Sequence, residues 1–251
     1  MNKIIDTKAF LLVYPCILVQ GALVNLIAGA SRLEHQRDTY YILSSKNWIN
    51  QIFAYRGNLI WTILYVALAS FQIHMRVSRS GALPLDARSS RRDSLMRTVK
   101  PYLVKLALKN LALTLVFLII DRTFIWTGGS CSISDTKSAE VCRHQGGNWE
   151  NGFDISGHFC FLTTVSLVLW LELSASQKYM SINDIVSSRS WHFLRASVVF
   201  VLVTWAFVLS VTAIYYHTFL EKVLGLAMGY ICPGIMYWAI PAHQKLSSLL
   251  Y

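Results

Sequence analysis

The sequence is short of charge. Asp, Glu, Lys and Arg make up 14% of its 251 residues, against roughly 25% in an ordinary soluble chain. Beside an apolar share of 54% and a mean hydropathy of +0.43, that scarcity excludes disorder, which needs the opposite balance. It also excludes a soluble fold, which could not hide so much apolar surface, and leaves lipid as the solvent. No internal repeat occurs, so collagen and coiled coil are excluded. No Asn-x-Ser/Thr sequon occurs either, so glycosylation cannot report topology. Acids are scarcer than bases, 13 against 23, for a formal net charge of +10. Such an excess suits nucleic acid or anionic lipid. The basic stretch at 75–101 lacks interleaved aromatics, which argues against nucleic acid as a partner.

What is present is apolar and aromatic, with 8 Trp, 12 Tyr and 12 Phe. A helix that crosses a bilayer needs about 20 apolar residues. Six runs meet that need, at about 9–28, 57–74, 102–120, 158–173, 193–214 and 223–241. The predicted fold class is all-α: one polytopic membrane domain of six transmembrane helices over residues 1–251. The first run follows Lys3 and Lys8 and ends in small residues, like a signal peptide. Its length exceeds the roughly 7–15 residues of a signal core, so it reads as an uncleaved span.

Six spans put both termini on one side. That side carries twelve Lys and Arg against four Asp, while the other carries eight bases against eight acids. Basic residues favour the cytosol, so both termini are expected there. The 75–101 loop holds most of this charge and reads as a topology determinant rather than a dedicated lipid-binding patch. The opposite, lumenal side holds Cys131 and Cys142. An oxidising lumen lets them pair and close a loop of about ten residues. A zinc site would need more ligands than these and His144.

Chemistry is sought among the histidines. His35, His74, His144, His192 and His243 lie singly in loops or at span ends and read as amphipathic residues. His158 opens the fourth span and His217 follows the fifth, so both fall at the lumenal membrane face. Asp154-Ile155-Ser156-Gly157-His158 carries a helix N-cap signal. Gly157 lets a ligand approach the backbone, and a helix N-terminus suits phosphate. His217 and Glu221 stand four apart and would share a helical face. A carboxylate on one imidazole nitrogen leaves the other as nucleophile or base. Lys222 adds positive charge. Two more ionisable groups fall inside spans: Glu172, and Lys109, which either reaches a polar pocket or snorkels along its long stem, the second being the favoured reading.

Ser156-Gly157-His158 and His217-x-x-x-Glu221 resemble two of the three motifs of the lipid phosphate phosphatase superfamily. Its Pro is Ile155 here, its Asp is Glu221, and Val211 stands where its third motif has Arg. No Lys-x6-Arg-Pro occurs. A closer resemblance is carried by Val141-Cys142-Arg143-His144-Gln145-Gly146-Gly147-Asn148-Trp149, by Gly152-Phe153-Asp154-Ile155-Ser156-Gly157-His158-Phe159, and by Tyr216-His217-Thr218-x-x-Glu221-Lys222-x-x-Gly225. These resemble the fat storage-inducing transmembrane (FIT) family. The resemblance implies an endoplasmic reticulum multi-pass protein that supports lipid droplet formation and lipid homeostasis. It implies an acyl-CoA diphosphatase that cleaves fatty acyl-CoA to acyl 4′-phosphopantetheine and adenosine 3′,5′-bisphosphate, with no cofactor and no metal. On that pattern His217 is the nucleophile, Glu221 orients it, and His158 protonates the leaving group. Ser156, Gly157, Lys222 and Arg122 are the candidates to hold the pyrophosphate.

Two other readings are open. A phosphatase of phosphatidate-like lipids would use the same histidines and differ in its product. A non-enzymatic protein that binds and partitions diacylglycerol or triacylglycerol would not need them. A transporter is disfavoured, because no inverted repeat or pair of broken spans is evident.

Overall fold

The computed structural model describes residues 7–80, 88–244 and 246–247. Lys3, Asp6, Asp86 and Lys245, counted in the charge bias, lie outside the described residues. So do the side chains of Arg79, Arg88, Arg91, Arg92, Asp93, Glu140 and Arg143. The architecture is helical, and six helices are long and apolar enough to cross a membrane. The first is formed by α1 (Thr7–Leu11) and α2 (Val13–Ala28). A polar helix, α3 (Ala30–Thr39), and a π-helical turn at Asn50–Tyr55 lead to α4 (Gly57–Ser80). Then come α5 (Arg88–Trp126), a short α6 (Ala139–His144), α7 (Gly157–Ile182), α8 (Arg189–Tyr215), α9 (Phe219–Gly234) and, after a second π-helical turn, α10 (Ile240–Ala242). The one ladder among the described residues is two residues long, pairing Ser130 with Glu150 and Cys131 with Trp149. Beside it Cys131 and Cys142 are joined by a disulfide.

The fourth span is longer than its apolar run, continuing from 173 to Ile182. The reason is its place. α7 is the central helix, buried almost without interruption from Phe159 to Leu173. Its polar residues face other helices instead of lipid, so hydropathy underrates it. Intramembrane packing favours small residues that let backbones approach, and α9 supplies them as Gly225-x-x-x-Gly229. A Cβ on Gly225 would stand 2.4 Å from the Ser156 carbonyl oxygen, and one on Gly229 would stand 2.8 Å from Thr163 Cβ. The Thr164 hydroxyl donates to the Gly229 carbonyl at 2.9 Å across this seam. Gly21 of α2 does the same against Ala213 of α8, where a Cβ would fall 2.3 Å away. Trp61 Nε1 donates to the Val165 carbonyl at 3.0 Å and ties α4 to α7.

Gly225→Ala tests the seam. The opposing atom is backbone and cannot rotate aside, so overpacking is expected to cost about 1–3 kcal/mol. Thermal unfolding in detergent should show a lower midpoint than wild type; an unchanged midpoint would mean α7 and α9 are not held this closely.

Lys109 corrects an expectation. Its amine does not snorkel. It is fully buried, donates to Asn58 Oδ1 at 2.6 Å and Asn110 Oδ1 at 2.8 Å, and lies 3.9 Å from the centre of the Trp61 ring. Two amides and an aromatic face replace the water it would otherwise seek.

Candidate active site

The N-terminus of α7, the C-terminus of α8, the 216–218 turn, the second half of α5 and the 42–55 segment enclose a cavity of about 410 Å³. It has two kinds of wall. Phe117, Ile120, Phe207, Val208 and Val211 make an apolar one. Ser44, Asn50, Asp121, Asp154, His158 and His217 make a polar one. The helix starts and ends that carry His158 and His217 therefore bring both imidazoles to one space.

His158 is held from the 42–55 segment. That segment is knotted by two buried asparagines. Asn47 Nδ2 donates to the carbonyls of Ile42 and Ser44, and Asn47 Oδ1 accepts from the Asn50 backbone N–H at 2.7 Å. Asn50 Nδ2 is spent on the Ser45 carbonyl at 2.7 Å. Its Oδ1 is thereby turned to His158 Nε2, at 2.9 Å. A carboxamide oxygen only accepts, so Nε2 of His158 carries the proton. The Tyr55 ring meets the imidazole edge-on, with centroids 5.9 Å apart.

His217 is held differently from expectation. It does not share a helical face with Glu221, because the chain leaves α8 at Tyr216 and enters α9 only after the N-cap Thr218. His217 lies between them in the left-handed region, at φ 58°. A β-carbon makes that conformation costly by about 1–2 kcal/mol, and such strain gathers at functional sites. Its Nδ1 faces Asp154 Oδ2 at 3.6 Å and Glu221 Oε2 at 3.9 Å. Two carboxylates on the Nδ1 side leave Nε2 as the nitrogen for chemistry.

Glu221 is first of all a cap. Its Oε2 accepts from the Thr218 N–H at 2.6 Å while the Thr218 hydroxyl accepts in return, a capping box. Its Oε1 accepts from the Asp154 N–H at 3.0 Å, and its carbonyl accepts from the Ser156 N–H at 3.1 Å. One residue thus fastens the start of α9 to the strip that precedes α7. Asp154, read from sequence only as part of the helix N-cap signal, is the carboxylate nearer to His217. Asn50 had no local signal, since its partner is 108 residues away.

Three candidate phosphate ligands are placed off the cavity. Ser156 is buried as the N-cap of α7, its hydroxyl accepting from the Phe159 N–H. Lys222 is buried too, its Nζ donating to the Ala213 carbonyl at 2.7 Å near the end of α8. Arg122 lies on the exposed face of α5, and its neighbour Asp121 lines the cavity instead. Gly157 does line it. No Lys or Arg is among the described lining residues. The Tyr216 hydroxyl donates to the Leu43 carbonyl at 2.8 Å. Burial pushes its pKa up.

A bundle of six membrane-crossing helices with two histidines on a cavity at one end is the class that fold and site define. The model of the fat storage-inducing transmembrane protein family matches residues 38–196 and 176–237. The chain is 42% identical over 264 aligned residues to the acyl-coenzyme A diphosphatase YFT2 of Saccharomyces cerevisiae, covering 97% of this chain and 96% of that one. It is 31% identical to the acyl-coenzyme A diphosphatase fit1 of Schizosaccharomyces pombe, over 91% of this chain and 81% of the relative. It is 29% identical to the acyl-coenzyme A diphosphatase FITM2 of Xenopus tropicalis, over 88% and 78%. This chain belongs to the fat storage-inducing transmembrane family. No solved structure matches it.

Proposed function

We propose that this chain is an acyl-CoA diphosphatase, a membrane hydrolase of a phosphoric anhydride bond. The observation that carries the reading is the cavity with two histidines between a polar and an apolar wall. The wall of Phe117, Ile120, Phe207, Val208 and Val211 suits an acyl chain at bilayer depth, and the polar wall suits the pyrophosphate. His217 Nε2 attacks one phosphorus. The P–O bond to the bridging oxygen breaks, and His158, as an imidazolium whose Nε2–H stays on Asn50, supplies the leaving oxygen's proton from Nδ1. Water then cleaves the P–N bond of the phosphohistidine. The products are acyl 4′-phosphopantetheine and adenosine 3′,5′-bisphosphate. Asp154 and Glu221 stabilise the positive charge that His217 gains.

The charge bias supports cytosolic termini and a cavity on the opposite, lumenal face, and the membrane of this reading is that of the endoplasmic reticulum. There the activity would serve lipid homeostasis and lipid droplet formation. The likeness to lipid phosphate phosphatases belongs to the same proposal and rests on the order of the two histidines.

The test is purified protein in detergent with a long-chain acyl-CoA, its products identified by mass. Acyl phosphopantetheine is the expected product. Release of inorganic phosphate from phosphatidate instead would favour the lipid phosphatase. No cleavage of either would favour a binder of diacylglycerol or triacylglycerol. Asn50 gives a finer check. Asn50→Leu frees the His158 ring, and misplacement of a catalytic group can cost about 10²-fold. A fall in kcat of about tenfold to a hundredfold with little change in KM is expected. Asn50→Asp, which keeps the acceptor oxygen, should recover most of it; equal loss in both variants would argue against a positioning role.

A further inference from the structure

The proposed substrate is strongly anionic, and the cavity is not cationic. It presents Asp121 and Asp154 beside the two histidines. A pyrophosphate and a separate ribose 3′-phosphate need positive charge from near the mouth. The segment that forms the polar wall supplies it. Lys46 lies between Ser45 and Asn47, and Arg56 follows Tyr55; all three neighbours line the cavity. Lys46 stands in a turn and Arg56 caps the π-helical turn, both exposed, so neither side chain is held to an outward helix face as that of Arg122 is. Neither is in an ion pair among the described residues. Arg37 is the contrast. Its guanidinium lies 5.8 Å from the centre of the Tyr216 ring, but Glu34 and Asp38 already pair with it.

We propose that Lys46 and Arg56 bind the 3′-phosphate of the nucleotide and give the enzyme its preference for a 3′-phosphorylated coenzyme A. The inference rests on the acyl-CoA reading of the cavity. The two cations flank the stretch from Asn47 to Tyr55, whose asparagine network fixes its course, so their Cα positions are set before substrate arrives. The acyl chain takes the apolar wall on the far side, the pyrophosphate lies between the histidines, and the ribose end emerges past this segment. A lysine and an arginine at an open mouth give a point charge and a planar fork for one dianion.

The experiment compares acyl-CoA with acyl-dephospho-CoA, which lacks only the 3′-phosphate, in a neutral detergent that carries no anionic headgroup. Hydrogen bonds to charged groups are among the stronger ones, so wild type should prefer acyl-CoA by about tenfold or more in kcat/KM. In Lys46→Ala/Arg56→Ala the ratio should fall to about one, with turnover of acyl-dephospho-CoA kept. The pair Lys46→Arg/Arg56→Lys should keep the preference. Binding of adenosine 3′,5′-bisphosphate, measured by calorimetry on the same proteins, should weaken about tenfold in the double alanine variant. A preference that survives the double variant overturns the proposal, as does equal loss on both substrates. If wild type cleaves neither substrate, the diphosphatase reading fails. The calorimetry then decides separately: unchanged binding overturns the 3′-phosphate site, and weakened binding supports it.

Discussion

Replacing His217 is expected to abolish turnover of acyl-CoA, with kcat lower by on the order of 10⁴-fold or more, as when a covalent nucleophile is removed. The design of the variant matters because His217 stands at φ 58°. Alanine there adds backbone strain, whereas asparagine tolerates the left-handed region better than other residues with a β-carbon. His217→Asn therefore isolates the imidazole from the turn. It should fold, melt near wild type, and bind acyl-CoA without cleaving it. Rapid acid-free quenching of wild type with labelled substrate should trap an acid-labile, alkali-stable phosphoprotein that His217→Asn lacks. A folded asparagine variant that retains activity within tenfold would remove His217 from the mechanism. Asp154→Asn should be milder, because Glu221 remains 3.9 Å from the same nitrogen.

Loss of Glu172 should unfold more of the bundle than any change at the cavity. Glu172 Oε1 accepts from Lys105 Nζ at 2.7 Å and from the Tyr237 hydroxyl at 2.5 Å, and Oε2 accepts from Gln72 Nε2 at 3.2 Å. The Tyr102 hydroxyl closes the cluster on Gln72 Oε1 at 2.7 Å. Four helical segments are joined by one carboxylate in the middle of the span. The side chains of Lys105 and Glu172 are 7% and 2% exposed, so removing one leaves the other charged in an apolar medium. Breaking such a pair costs about 3–5 kcal/mol. Glu172→Leu should lower the detergent melting midpoint strongly. Lys105→Met/Glu172→Leu should recover most of that loss, since replacing both partners by apolar groups is close to neutral. Glu172 is fourteen residues past His158 on α7, about 21 Å at 1.5 Å per residue. The protein that remains folded should keep its kcat. A single variant that melts like wild type would show that the pair adds nothing.

The contrast between these two regions explains how much was legible. Apolar runs located all six spans, because lipid imposes length and composition together. They stopped at 173, short of the end of α7 at Ile182, where Ser176 and Met180 are buried against neighbouring helices rather than exposed to lipid. Local motifs brought out His158 and His217. They misplaced Lys222 and Arg122 because adjacency in sequence says little about direction on a helix. One residue is a turn of about 100°. It sends Glu221 to Asp154 but Lys222 into α8, and it sends Asp121 to the cavity but Arg122 outward. The reading of His217 and Glu221 as one helical face failed on a single turn that no period announces. The contact between Asn50 and His158 is a tertiary fact, invisible before the 42–55 segment and α7 are packed.

The wall of the cavity begins at Ile42 and ends at His217, and the last turn is fixed by Glu221 and by Gly225 and Gly229 against α7. Biosynthesis runs along the same line. A growing chain has five helices in the bilayer before the nucleophile leaves the ribosome, and the sixth must dock before that nucleophile is held. On the proposed mechanism, a product that ends before α9 is expected to lack turnover altogether rather than keep a weaker version of it.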